Sequence, residues 1–196
     1  MEIIVVTGKS GAGKTYVSNI LKNLLDAEHL SLDTISHQTL TFLKVKKFVR
    51  DNFGNDVFDA DEINRKKLGA ITFKNPELLN QLNKICEEEM EKLIDEHISS
   101  CTKKYLILDY MLLPLMKYFD MAKFKILVTA SNDTRKQRII KRDGITEEYF
   151  LLRDKHSLSF NKDDYDFVIS EKTASNIETI ASKIKASWNA CFFILC

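Results

Sequence analysis

Glycine and proline are scarce, with six glycines and two prolines in 196 residues. That scarcity excludes collagen-like, linker-rich and low-complexity architectures and favours a helix-rich chain. Long apolar runs are missing too. The longest near a terminus, Ala190 to Cys196, has seven residues, against roughly 20 for a spanning helix, so no integral membrane association is expected. Nor is there an excess of one charge. With 29 Lys and Arg against 28 Asp and Glu, the net charge is +1, and no global field draws the chain toward nucleic acid, which is therefore not an expected partner. The four cysteines, Cys86, Cys101, Cys191 and Cys196, form no CxxC pair of the kind that metal sites use. Met1 leads straight into an apolar run without a leader pattern, so the thiols are expected to be reduced in a cytoplasmic protein. The 44% apolar and 29% charged fractions are ordinary for a globular protein, and the length suits one compact domain with appendages.

The few glycines are concentrated. Three of the six fall within Gly8, Lys9, Ser10, Gly11, Ala12, Gly13, Lys14 and Thr15, a full match to GxxxxGK[ST]. Ile3-Ile4-Val5-Val6 precedes it as a buried-strand run. Tyr16 to Leu25 follows at helical spacing, with Val17, Ile20, Leu21, Leu24 and Leu25 on one side. A glycine-rich turn can begin an ordinary helix, but strand, turn and helix in this order form a phosphate loop: backbone N–H groups and the helix dipole cradle phosphates, Lys14 reaches the outer ones, and Thr15 offers a hydroxyl to Mg²⁺. A nucleoside triphosphate is the expected ligand.

His29 to Asp33 reads as a second strand ending in an acid. In open α/β sheets ligands collect at the carboxyl ends of strands, which makes Asp33 a candidate carboxylate toward an acceptor; capping a helix from Thr34 is its structural alternative. Ile35 to Phe53 is mostly helical and carries Lys44, Lys46, Lys47 and Arg50, which suit either an acidic ligand or a solvated face. Gly54-Asn55 breaks the pattern. A short helix is expected over Asp61 to Leu68, and a longer one from the Asn75 cap and Pro76 to about Ile98. Tyr105 to Asp109 is a strand ending in an acid, and Asp109 suits either Mg²⁺ or its water, or capping. After a strand at Phe124 to Thr129, Ser131 caps a helix carrying Arg135, Arg138, Lys141 and Arg142. Arg138 and Arg142, four apart on one face, read as an anion clamp or as solvated arginines. Thr146 to His156 forms a hairpin partner with Arg153 able to face the same site. A last strand follows at Asp166 to Ile169, and the Ser175–Glu178 capping box opens a final helix to about Trp188. The apolar tail suits covering a sheet edge or meeting a second subunit.

Phosphate loop, acid, helical insertion and arginine-bearing hairpin together describe a small-molecule kinase, which needs an in-line acceptor hydroxyl, cations and closure against water. From Met1 to about residue 188 the chain resembles the dephospho-coenzyme A kinase family. The resemblance is carried by the phosphate loop, Leu32-Asp33-Thr34-Ile35-Ser36-His37-Gln38, Phe53-Gly54, Asn64-Arg65 with Leu68, Phe73-Lys74-Asn75-Pro76, Arg138 through Thr146, and Asp166-Phe167-Val168-Ile169. It implies an α/β fold of the P-loop nucleoside and nucleotide kinase type, with a five-stranded parallel sheet flanked by helices. The expected division is a nucleotide-binding core at 1–59, 99–140 and 163–196, a helical acceptor-binding insertion at 60–98, and a lid at 141–162.

It implies, too, that ATP with Mg²⁺ phosphorylates the ribose 3'-hydroxyl of dephospho-CoA. Asp33, Lys14 and Arg142 would be catalytic. Gly8 to Thr15 with Arg138 and Arg142 would bind ATP, Asp33, His37, Arg65 and Arg153 the acceptor, and Thr15 the Mg²⁺, with Asp33 or Asp109 through water. A monomer or weak homo-oligomer is expected. The family usually has His-Pro at Glu87-Glu88, a glutamate at Leu115, a glutamine near Ser157 and an asparagine at Glu171. Another nucleoside or nucleotide kinase, or a nucleotide-binding protein without catalysis, are the alternatives.

Overall fold

A computed structural model describes residues 1–72, 75–155 and 157–192. Phe73-Lys74 and the end of the apolar tail, residues 193–196, lie outside the described residues. The chain divides into two compact units, one comprising Met1–Ser31 and the chain from Cys101 onward, the other Leu32–Ser100.

The first unit is built on β1 (Glu2–Thr7), β2 (Glu28–Ser31), β5 (Tyr105–Asp109), β6 (Phe124–Thr129) and β7 (Phe167–Ser170), between which two short strands of the second unit fall in sequence. All pairings in this sheet are parallel, in the order β2-β5-β1-β6-β7, as the expected fold class requires. Parallel strands are covered on both faces, which is why these segments read as continuous apolar runs and not as alternations. On one face Ile4, Val6, Ile107, Ile126 and Val128 pack with Val17, Leu21 and Leu25 of α1 (Lys14–Leu25) and Ile177, Ile180 and Ile184 of α9 (Ile177–Phe192). The intervening Val5, Leu106, Leu108 and Leu127 are equally buried. From β1 the chain moves outward to β2 and back to β5. It then crosses to β6 on the other side, so the strand order reverses at β1. The carboxyl end of β1 is thus the switch point where open α/β sheets bind ligands.

β2 is shorter than expected. Its ladder ends at Ser31, opposite Asp109, because β5 supplies no further partner. Leu32 and Asp33 therefore open α2 (Leu32–Thr39), with Asp33 in its first turn, where the helix dipole favours an acid. The helical stretch that follows is also divided: Leu40 to Phe42 separate α2 from α3 (Leu43–Phe53), and α3 ends on Gly54.

Within the second unit, the short helix expected over Asp61 to Leu68 is corrected to a hairpin and a later helix. β3 (Phe58–Asp59) pairs antiparallel with β4 (Glu62–Ile63), and α4 (Arg65–Thr72) begins beyond Asn64. Asn64 Oδ1 accepts from the N–H groups of Lys66 and Lys67, both at 3.0 Å, so it is the cap. Lys46 Nζ donates to Asp61 Oδ2 at 3.2 Å and Glu62 Oε1 at 3.1 Å, and Arg50 Nη2 to Asp61 Oδ1 at 2.9 Å, which holds the turn against α3. Val45, Val49, Val57, Phe58, Leu68 and Leu82 form the core beneath. α5 (Pro76–Ser100) is capped by Asn75, whose Oδ1 accepts from Leu78 N at 3.2 Å.

Returning to the first unit, α6 (Lys117–Met121) lies between β5 and β6. α7 (Asn132–Asp143) is capped by Ser131, and α8 (Glu147–Lys155) begins after Thr146, whose hydroxyl accepts from Tyr149 N. The final helix begins at Ile177 after a 3-10 turn over Glu171–Asn176; the side chain of Ser175, on which the expected Ser175–Glu178 box depends, lies outside the described residues. Among the described residues no helix is long and apolar enough to cross a membrane.

Candidate functional site

The loop from Gly8 to Gly13 leaves β1 at the switch point and enters α1. Gly8 has φ +146°, and a Cβ built there would lie 2.1 Å from the Val128 carbonyl oxygen of β6, so only a residue without a side chain fits. Gly13, the N-cap of α1, is left-handed at φ 103° and offers no side-chain cap, so it does not cover the N–H groups of the first helical turn. Those donors and the helix dipole together form an anion site. Lys14 is buried at the same turn. Thr15 Oγ1 donates to Asp109 Oδ2 at 2.9 Å, tying the start of α1 to the end of β5. Asp109 is fully buried, and its Oδ1 has no hydrogen-bond partner among the described residues. His29 Nε2, from β2, lies 3.5 Å from Asp109 Oδ2.

α7 meets the outer side of the loop. Arg138 Nη1 donates to the carbonyl oxygens of Gly11 at 3.1 Å and Ala12 at 3.4 Å. Arg142, one turn on, pairs instead with its neighbour Asp143, Nε to Oδ1 at 2.6 Å and Nη2 to Oδ2 at 3.1 Å. Arg153 Nη1 of α8 approaches the same carboxylate at 3.7 Å. The arginines therefore form two groups, Arg138 on the loop and Arg142 with Arg153 around Asp143.

The residues expected to face an acceptor lie in the second unit. Asp33 and His37 sit on α2 and Arg65 opens α4. Burial lowers the His37 pKa from its ordinary 6.5, the positive charge of Arg65 lowers it further, and Asp33 opposes both. Of the basic group on α3, three members are committed to internal acids: Lys44 Nζ donates to Glu88 Oε2 at 2.8 Å, and Lys46 and Arg50 hold the β3–β4 turn.

Residues 2–172 match the family model described as dephospho-CoA kinase. The chain belongs to the dephospho-CoA kinase family. It is 33% identical over 162 residues to the dephospho-CoA kinase of Dehalococcoides mccartyi, covering 78% of this chain and 79% of that one. Among solved structures, a Thermus thermophilus protein matches with a TM-score of 0.78 at 22% identity, and dephospho-CoA kinase from Campylobacter jejuni with 0.63 at 21%; each match covers 95% of this chain and 96% of the other. These two likenesses show the fold. As a member of this family the chain is an ATP-dependent kinase.

Two of the positions at which this dephospho-CoA kinase family member departs from the expected pattern, Glu88 and Glu171, have local partners. Glu88 holds Lys44. Glu171 accepts from Ser131 N at 3.2 Å and Thr134 Oγ1 at 3.3 Å, placing a carboxylate at the N-terminus of α7, where the dipole favours it. Leu115 is 68% exposed. Three features of the site escaped the sequence reading: His29 beside Asp109, Asp154 of α8, and the contacts of Arg135. Arg135 did stand three residues before Arg138, on the same helix face, which was the one available signal.

Proposed function

We propose that the chain transfers the γ-phosphoryl group of ATP to the ribose 3'-hydroxyl of dephospho-CoA, giving coenzyme A and ADP. The observation that carries this reading is the family match over residues 2–172 together with an intact phosphate loop at the switch point. In the reaction the acceptor oxygen forms a bond to the γ-phosphorus as the bridging bond to ADP breaks. Charge moves onto the leaving oxygens, and the acceptor hydroxyl gives up its proton.

Gly8 to Thr15 would hold the triphosphate through backbone N–H groups, with Lys14 against the outer phosphates. Arg138 would stay on the loop. Arg142 would exchange Asp143 for the nucleotide and the transferring phosphoryl group, with Arg153 beside it. Asp33 follows Ser31, the register partner of Asp109, by two residues in the chain. It is assigned to orient the acceptor hydroxyl and take its proton, while His37 and Arg65 bind the acceptor. Segment 60–98 is assigned to acceptor binding and 141–162 to the lid. Thr15 and Asp109 would hold Mg²⁺, directly or through water; the buried, unpartnered Asp109 Oδ1 fits that role. The ion, when bound, supplies charge neutralisation at the phosphates. We assign the protein to the cytoplasm as a monomer or weak homo-oligomer.

A coupled ATP-consumption assay with dephospho-CoA, followed by locating the new phosphate, tests the proposal. Phosphate on the ribose 3'-oxygen is expected. Turnover only with nucleosides or nucleoside monophosphates, or ATP binding with no turnover at all, would overturn it.

A further inference from the structure

Arg135 is the most deeply buried arginine of α7, 4% exposed. Its Nη1 donates to Asp154 Oδ1 at 2.7 Å and its Nη2 to Asp154 Oδ2 at 2.9 Å, a two-pronged pair with α8. Nη2 also donates to Asn132 Oδ1 at 2.6 Å, and Nη1 to the Ser10 carbonyl oxygen of the phosphate loop at 3.3 Å. The guanidinium carbon lies 5.7 Å from the centre of the Phe150 ring, itself buried. Lys9 Nζ, from the loop, reaches Asp154 Oδ2 at 3.6 Å.

With Arg138 on Gly11 and Ala12, three successive loop carbonyls, Ser10, Gly11 and Ala12, accept hydrogen bonds from guanidinium groups. A phosphate loop works by turning its N–H groups toward the anion, and a peptide whose carbonyl is held on one side has its neighbouring N–H groups directed away from it. We propose that Arg135 is a positioning residue of the donor site: fixed by Asp154 of α8, its guanidinium holds the Ser10 carbonyl on the outer side of the phosphate loop and so preorganises the loop for ATP.

Asp154 explains how the cation can be buried there. A guanidinium without a counter-ion in this position would carry a large desolvation penalty, and the two-pronged geometry offsets it. The hydrogen bonds from Arg135 in turn hold the Asp154 carboxyl below its ordinary range. Because Asp154 belongs to α8, loop geometry and helix position are joined through one ion pair. The inference rests on the ATP-dependent reading above and is independent of which acceptor is used.

The decisive variant is Arg135→Met with Asp154→Leu, which removes both charges and refills their volume. If the pair serves only the fold, this variant binds ATP as the parent does. If Arg135 positions the loop, the folded double variant has a dissociation constant for ATP with Mg²⁺ raised about tenfold, measured by calorimetric titration without acceptor. KM for ATP rises equally, while kcat at saturating ATP stays within twofold. Arg135→Lys serves as the second variant. It keeps the charge opposite Asp154 but loses the planar fork, and it is expected to raise the same constant at least fivefold. An ATP constant within twofold of the parent in either folded variant overturns the proposal. A parent that binds ATP but does not phosphorylate dephospho-CoA overturns the acceptor assignment alone, leaving this titration unaffected.

Discussion

A methyl group placed on Gly8 would collide with the main chain of a neighbouring strand. The Cβ of Gly8→Ala lies 2.1 Å from the Val128 carbonyl oxygen and 3.1 Å from its carbon, whereas a relaxed C···O contact is about 3.3 Å, so loop and strand must separate by roughly 1.2 Å. Val128 has little freedom to move. It stands in register with Ile169 of β7, and Ile126, two residues back in the same strand, pairs with Val6. The strained backbone costs about 1–3 kcal/mol, and forcing extra volume into a packed site about 1–3 kcal/mol more. A total of roughly 4 kcal/mol corresponds to a fall in Tm of about 8–16 °C for a chain of this size. Gly144→Ala is the control. Its φ is also positive, at +64°, but no atom lies within 4 Å of the added methyl, so it should cost only about 1–2 kcal/mol of backbone strain. Calorimetric melts of the two variants and the parent separate collision from backbone strain. If Gly8→Ala melted within about 2 °C of Gly144→Ala, the close approach of loop and β6 would be refuted.

Three further outcomes are expected. Asp33→Asn should lower kcat about 100-fold or more, the usual size of a general-base contribution, while leaving ATP affinity within twofold in a binding titration; an unchanged kcat removes Asp33 from its role. Thr15→Val and Asp109→Asn should each raise the Mg²⁺ concentration at which ATP affinity is half-maximal, because each removes a proposed holder of the ion; a Mg²⁺ titration identical to the parent's argues against the assignment. His37, whose pKa is lowered by burial and then by Arg65, should titrate below 6.5 in an NMR pH series, moving up in Arg65→Ala and down in Asp33→Ala. The unfolded chain then binds the proton first as pH falls. The contribution of His37 to stability is therefore full above about pH 6.5 and is lost as pH drops through the folded value.

Local chemistry was legible in the sequence wherever one short segment contains the whole interaction. The phosphate loop is eight consecutive residues whose types and spacing can be matched without knowing what packs against them. Asn75 and Ser131 cap the helices that directly follow them, and the apolar runs of β1, β5 and β6 record burial on both faces of a parallel sheet. Errors occurred where local preference was overridden from a distance. Asp61 and Glu62 look helical in isolation, yet Lys46 and Arg50 of α3 hold Asp61 in the turn after β3, and Lys46 also holds Glu62 at the start of β4. Asp33 looked like a strand end until the ladder opposite β5 ran out at Ser31.

Composition, spacing and motif thus determined by themselves that this chain has a phosphate-loop motif between an apolar strand and a helix, because those features depend on neighbours along the chain. Only the tertiary structure decided which side chains hold that loop in place. Thr15 and Asp109 are 94 residues apart, and Ser10 and Arg135 are 125 apart. Such pairs leave no periodicity to read, since they exist only once the strands have set β1 between β5 and β6 and brought α7 against the loop.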